Sequence, residues 1–300
     1  MKNQDKLLAA LVVVCWGLNF VVIRWGLDKV PPLLLGALRF LAVAFPAVFF
    51  IPRPALPLRW LLAYGGTISL GQFAFLFCAM YLGMPAGIAS LVLQSQVLFT
   101  LLFAMFWLGE RWRLHQAIAL PIAALGLYLI AAHAQGNMTL LGFVLTLCAA
   151  ASWGLGNVVN RRIGMAFRVA LPSLVAWSAL IPILPFLALS WLFEGPTRIS
   201  EGLASMTINT LLCVAYLAYV ATWFGYGIWA RLLGRYPVAQ VAPLTLLVPC
   251  VGMVAASLLL GEYPGPWQWL GSALVLTGFV IHLLGPRLLP QRRVSQASAD

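Results

Sequence analysis

Asn19, Gln72, Gln94, Gln96 and Asn157 are amides set inside long apolar runs. Such groups are expensive against lipid hydrocarbon, so they must face protein or a watery cavity. Trp16 and Asn19 stand three residues apart, and Trp153 and Asn157 four apart, so each pair shares one helix face. At a rise of 1.5 Å per residue, Asn19 falls about 18 Å into its helix, just past the bilayer midplane. Tyr219, Trp223 and Tyr226 add an aromatic row. Pro243 and Pro249 bracket Thr245. Proline removes a backbone donor, so this stretch either kinks or opens locally. Amides hydrogen-bond ammonium and carboxylate groups alike, which suits a small polar or zwitterionic solute. The candidate substrate-binding set is therefore Trp16, Asn19, Gln72, Gln94, Trp153, Asn157, Tyr226 and Thr245. Each amide has an equal alternative as interhelical glue, worth about 1 kcal/mol per bond.

Other chemistries lack their residues. The acids are Asp5, Asp28, Glu110, Glu194, Glu201, Glu262 and Asp300, and none falls mid-way along an apolar run. Without a membrane carboxylate, downhill facilitated export stands beside proton antiport as the energetic option. Glu110 and Glu262 follow Leu-Gly at the ends of two runs and are expected to pair with loop arginines. A lipid-processing membrane enzyme would need paired acids or a His-Asp set at the interface. His115, His133 and His282 are scattered, and no catalytic set is expected. Five cysteines in apolar segments match no zinc spacing, so neither metal nor disulfide is expected. Gly225–Ala230 fits a GxGxxA pattern but lies in an apolar run with no preceding strand. No lysine follows Lys29, which removes a Walker A loop and ATP drive. No cofactor is expected. Arg39 alone among the bases lies inside an apolar run. It could snorkel outward, meet a helix C-terminus or hold an anionic substrate group.

The elements that position these residues follow from composition. Apolar residues make up 63% of the chain and charged ones 8%, which no soluble domain could hide. Ten runs are long enough to span a bilayer: 7–26, 33–51, 60–82, 86–108, 114–132, 140–160, 171–193, 206–232, 238–260 and 267–284. The net charge of +11 is spread between the runs, so nucleic acid is not an expected partner. With the N-terminus cytoplasmic, 14 of the 18 basic residues fall in inner segments and 3 in outer ones, the last being Arg39. Both termini are thus expected in the cytoplasm. Trp16-Gly17-Leu18 recurs as Trp153-Gly154-Leu155, an offset of 137, and Leu108-Gly109-Glu110 recurs as Leu260-Gly261-Glu262, an offset of 152. A duplicated unit of five spans enters the bilayer from opposite sides in its two copies, the architecture of alternating-access carriers. The fold expected is all-α integral membrane: ten transmembrane helices as two inverted five-helix repeats. The repeats cover 1–135 and 136–288, and a disordered cytoplasmic tail covers 289–300. Partners are a small-molecule substrate and the lipid bilayer. Oligomeric state is not legible.

Trp16-Gly17-Leu18-Asn19-Phe20, Pro31-Pro32 with Arg39-Phe40, Pro85-Ala86-Gly87 with Ala89, and Gly109-Glu110-Arg111 resemble the EamA family of the drug/metabolite transporter superfamily. The resemblance runs from Leu7 to Leu284. The stretches 73–78, 83–87 and 177–182 are similar to its bacterial exporters of O-acetylserine and cysteine. The resemblance implies a bacterial inner-membrane exporter of amino acids and related metabolites. It also implies a central cavity lined by the first, third, fourth, sixth, eighth and ninth spans. Other solute classes, such as aromatic amino acids, nucleobases or drugs, remain open alternatives. The echo of Asn19 is imperfect, because Gly156 takes the aligned position and Asn157 follows it.

Overall fold

The structure, a computed structural model, describes residues 1–109, 113–133 and 138–288. Among these it is all helical, with ten helices long and apolar enough to cross a membrane. They are Asn3–Leu27, Pro32–Phe50, Leu58–Tyr81, Ala86–Leu108, Leu114–Ala132, Leu140–Ala166, Leu171–Phe193, Ile208–Arg235, Ala242–Leu260 and Pro266–Gly285, called the first to tenth spans below. Each matches one expected run. The tail 289–300 and Glu110 with Arg111 lie outside the described residues.

The differences have physical causes. The first span starts earlier because Asp5 is buried: the Tyr236 hydroxyl donates to its Oδ2 at 2.7 Å and the Arg235 guanidinium lies 3.6 Å from Oδ1. A charged residue can join a span when a neighbour supplies its partner. A short helix, Gly195–Ala204, stands where a plain linker was expected. It packs Gly202 against Pro31, and Arg198 donates to the Tyr81 hydroxyl.

Glycine sets the closest helix approaches. A Cβ on Gly126 in the fifth span would meet the Gly271 carbonyl at 2.5 Å, and one on Gly278 in the tenth would meet the Ala119 carbonyl at 2.9 Å. Both offsets are 152. Likewise Gly17 faces Val251, and Gly154 faces Phe99 and Thr100. Within lipid, packing of this kind replaces the hydrophobic effect as the glue between helices. The repeated positions of the sequence therefore make matching contacts in the two halves.

The Leu-Gly-Glu repeat also finds its reason. Gly109 and Gly261 end the fourth and ninth spans in the left-handed region, at φ 68° and 67°, which only glycine adopts freely. Among the described residues, Glu262 has no loop arginine as partner, the pairing the sequence suggested. Its carboxylate accepts from the backbone N–H groups of Ala86 and Gly87, both at 2.9 Å. The fourth span begins after Pro85 with no cap of its own, so the ninth span's carboxylate supplies it. Glu194 serves the second span in the same way, accepting from Leu33 and Leu34 N–H at 2.6 and 3.2 Å.

Gly278→Val should lower the melting temperature of the detergent-solubilised protein, at roughly 1–3 kcal/mol of overpacking. Gly164→Ala, where a Cβ meets nothing within 4 Å, should leave it unchanged or slightly raised. Equal melting of both variants would remove the packing argument.

Candidate functional site

Among the described residues, six spans depart from a continuous α-helix, in three corresponding pairs; the second and seventh are interrupted by turns at 45–46 and 179–182. The third span is π-helical over Gly65–Gly71 and the eighth over Tyr216–Phe224. The fourth span tightens to a 3-10 turn at Leu93–Ser95 and the ninth at Ala242–Leu246. A change of pitch loosens the regular backbone ladder where lipid offers no other partner. Polar side chains from neighbouring spans bond carbonyls in three of these stretches. Trp16 Nε1 donates to the Ala221 carbonyl at 3.0 Å, and Ser152 Oγ donates to the Thr67 carbonyl at 2.9 Å. Gln94 Nε2 donates to the Thr245 carbonyl at 3.2 Å, joining the two 3-10 turns directly. Pro243 thus sits within a local change of pitch at Thr245, as its spacing suggested.

Arg39 of the second span does not snorkel. It is 3% exposed, with its guanidinium carbon 3.8 Å from the centre of the Phe73 ring. Nη2 donates to Thr222 Oγ1 at 3.2 Å. Thr222 in turn donates to the Leu217 carbonyl, five residues back in the π turn. A cavity of about 20 Å³ lies against Arg39, lined also by Tyr64, Ser69, Ser178, Thr222 and Tyr226. Its walls come from the second, third, seventh and eighth spans. It shares only the third and eighth with the set implied by the family resemblance.

The EamA-like transporter family matches residues 6–132 and again 140–284. The chain belongs to that family. It is a multi-pass membrane transporter, not an enzyme, with a small-molecule substrate and the bilayer as its surroundings. A relative from Salmonella typhimurium, named a "probable amino-acid metabolite efflux pump", is 53% identical over 98% of this chain and 100% of its own. One of the same name from Escherichia coli is 51% identical over 96% and 97%. A "probable terminal-alkyne amino-acid exporter" from Streptantibioticus cattleyicolor is 28% identical over 94% of each chain. A solved crystal structure, 20% identical, covers 97% of this chain and all of its own with a TM-score of 0.62, and so shares the fold.

Within this transporter the sequence-derived residues divide. Trp16 and Tyr226 meet, with ring centroids 5.6 Å apart, and Trp229 also lies tilted against Trp16 at 5.3 Å. Gln94 and Thr245 meet through the bond above. Asn157 instead joins Gln96 Oε1 at 2.7 Å and Thr100 Oγ1 at 3.1 Å, holding the sixth span to the fourth. Trp153 is partly buried against the main apolar core. Asn19 Oδ1 and Gln72 Oε1 are buried without a protein partner. The N–H groups of Trp16 and Gln94 are committed to backbone carbonyls, so both act as bonds between spans. Sequence reasoning missed Ser69, Ser152 and Thr222. For Ser69 and Thr222 a signal was present, a small hydroxyl residue in a run with Gly65-Gly66 or the Tyr216–Trp223 aromatics, where a helix can change pitch.

Asn157→Ala and Gln96→Ala should each lower thermal stability, and the double variant should lose less than the two together. A coupling of roughly 0.5–1.5 kcal/mol is expected in a double-mutant cycle. Additive losses would mean that the amide pair is not a working bond.

Proposed function

We propose that the chain exports small amino-acid metabolites of the cysteine and O-acetylserine kind across the bacterial inner membrane. The two five-span repeats, 1–135 and 136–288, enter the bilayer in opposite orientations with both chain ends in the cytoplasm, and they work by alternating access. The observation that carries this reading is the direct bond between the 3-10 turns of the fourth and ninth spans, at Gln94 and Thr245. Corresponding segments of the two halves lose regular pitch there and meet, which is how broken-helix carriers build a shared site.

The packing along the bundle supports a one-sided opening. Ala86–Leu93 of the fourth span is entirely buried, whereas of Gln96–Leu108 only Leu98 and Ala104 are. The buried half lies at the bundle end that Glu262 and Glu194 hold together through helix caps. At the opposite end, Asp5 ties the start of the first span to Arg235 and Tyr236 of the eighth-span end. Rocking one repeat against the other would exchange these two sets of contacts. Asn19 and Gln72, with buried unpartnered oxygens, offer acceptors to an ammonium group, and Trp16, Trp153, Asn157 and Tyr226 complete the pocket. The names of the relatives at about half identity agree with the solute class. The aromatic cluster Trp16–Tyr226–Trp229 favours aromatic amino acids as the second reading.

Proteoliposomes loaded with L-cysteine or O-acetylserine should release them faster than empty-lipid controls, and an imposed pH gradient will separate antiport from facilitation. Asn19→Leu and Gln94→Leu should cut that rate at least tenfold while leaving membrane insertion intact. Release equal to the controls would refute the proposal. Faster release of tryptophan or tyrosine alone would support the second reading.

A further inference from the structure

We propose that Arg39 anchors the carboxylate of the transported solute, which makes the chain selective for carboxylate-bearing metabolites over their decarboxylated amines. The proposal rests on the export reading above for the identity of the solute. The geometry stands by itself. Arg39 is a buried guanidinium of which one nitrogen, Nη2, has a protein acceptor. Nε and Nη1 are buried with none. Among the described residues, no carboxylate lies within ion-pair distance of it. Stacking on Phe73 at 3.8 Å, with Phe40 at 5.6 Å, offsets only part of the penalty of desolvating a cation. What the guanidinium lacks is a planar anion: Nη2 carries a second N–H beside the one given to Thr222, and together with the idle Nε or Nη1 on its side it forms a fork that matches the two oxygens of a carboxylate.

The cavity places that group within reach. At about 20 Å³ it has room for a single water, so a carboxylate enters only when the walls part. Two of those walls are unusual. Ser69 projects from the π stretch of the third span and Thr222 from that of the eighth. A π stretch holds extra backbone within a helix. Sliding that excess by a turn moves Ser69 and Thr222 relative to Arg39 without breaking either span. Thr222 holds Arg39 through one bond and its own π turn through another, so release of Arg39 and a change of pitch are mechanically joined. Tyr226, on the same cavity, packs at a tilt against Trp16 of the first span, which connects the anion site to the rest of the proposed pocket.

The test uses purified full-length protein in detergent and measures the apparent affinity from ligand-dependent melting. The probes are L-cysteine, cysteamine and propionate. The variants are Arg39→Gln and Arg39→Lys. The wild type should bind L-cysteine at least tenfold more tightly than cysteamine. Arg39→Gln should lose roughly tenfold or more of the affinity for L-cysteine and for propionate, with cysteamine unchanged, and Arg39→Lys should fall between. If Arg39→Gln does not fold, the wild-type preference and the Arg39→Lys shift still decide the matter. Equal wild-type affinity for L-cysteine and cysteamine, or full L-cysteine affinity in the Arg39 variants, would overturn the proposal. The export reading fails separately. Wild-type protein that binds propionate through Arg39 but does not release L-cysteine from liposomes would keep the anion site and lose the solute. Undiminished L-cysteine efflux by Arg39→Gln would do the reverse.

Discussion

Backbone carbonyls released inside lipid have no water to turn to, and the architecture is organised around that constraint. Ten regular helices would satisfy every group internally but would be inert rods. This chain gives up α-helical pitch in the third, fourth, eighth and ninth spans and sends a polar side chain from a neighbouring span to a carbonyl in three of those stretches. Trp16, Ser152 and Gln94 each act in this way. These bonds cross between helices and are few, and a bond of this kind contributes about 1 kcal/mol. They are strong enough to set one packing and weak enough to exchange.

The same economy governs charge. The two carboxylates Glu194 and Glu262 sit at span ends and cap helices that begin with proline and have no cap of their own. Asp5 is buried but met by Arg235 and Tyr236. Arg39 stands apart because its partners are two aromatic rings and one hydroxyl. Against glycine-mediated contacts that leave no room for a Cβ, the loosely satisfied groups mark where the molecule can rearrange.

Much of this was legible in the sequence. Length and hydropathy place ten spans, because a bilayer fixes helix length and tolerates few charges. The recurring Gly17 and Gly154, and Gly126 and Gly278, make equivalent close contacts. The candidate amides were legible as residues but not as partnerships. Asn157 bonds Gln96 rather than facing the same group as Gln94, since which side chains meet depends on helix rotation that a single sequence does not carry. Glu262 defied its local reading because its partners, Ala86 and Gly87, lie 175 or more residues away along the chain. The π stretches left no proline to announce them, and the bonds that meet them are tertiary, from Trp16 and Ser152 on adjacent spans.

The central claim is that the two ends of the bundle open in alternation around a shared polar pocket. Distances between paired spin labels test it most directly, with one pair at Lys29 and Tyr263 and another at Arg113 and Arg235, in liposomes with and without L-cysteine. The account predicts opposite changes, one pair lengthening as the other shortens. Both distances unchanged by the solute, or both lengthening together, would contradict it.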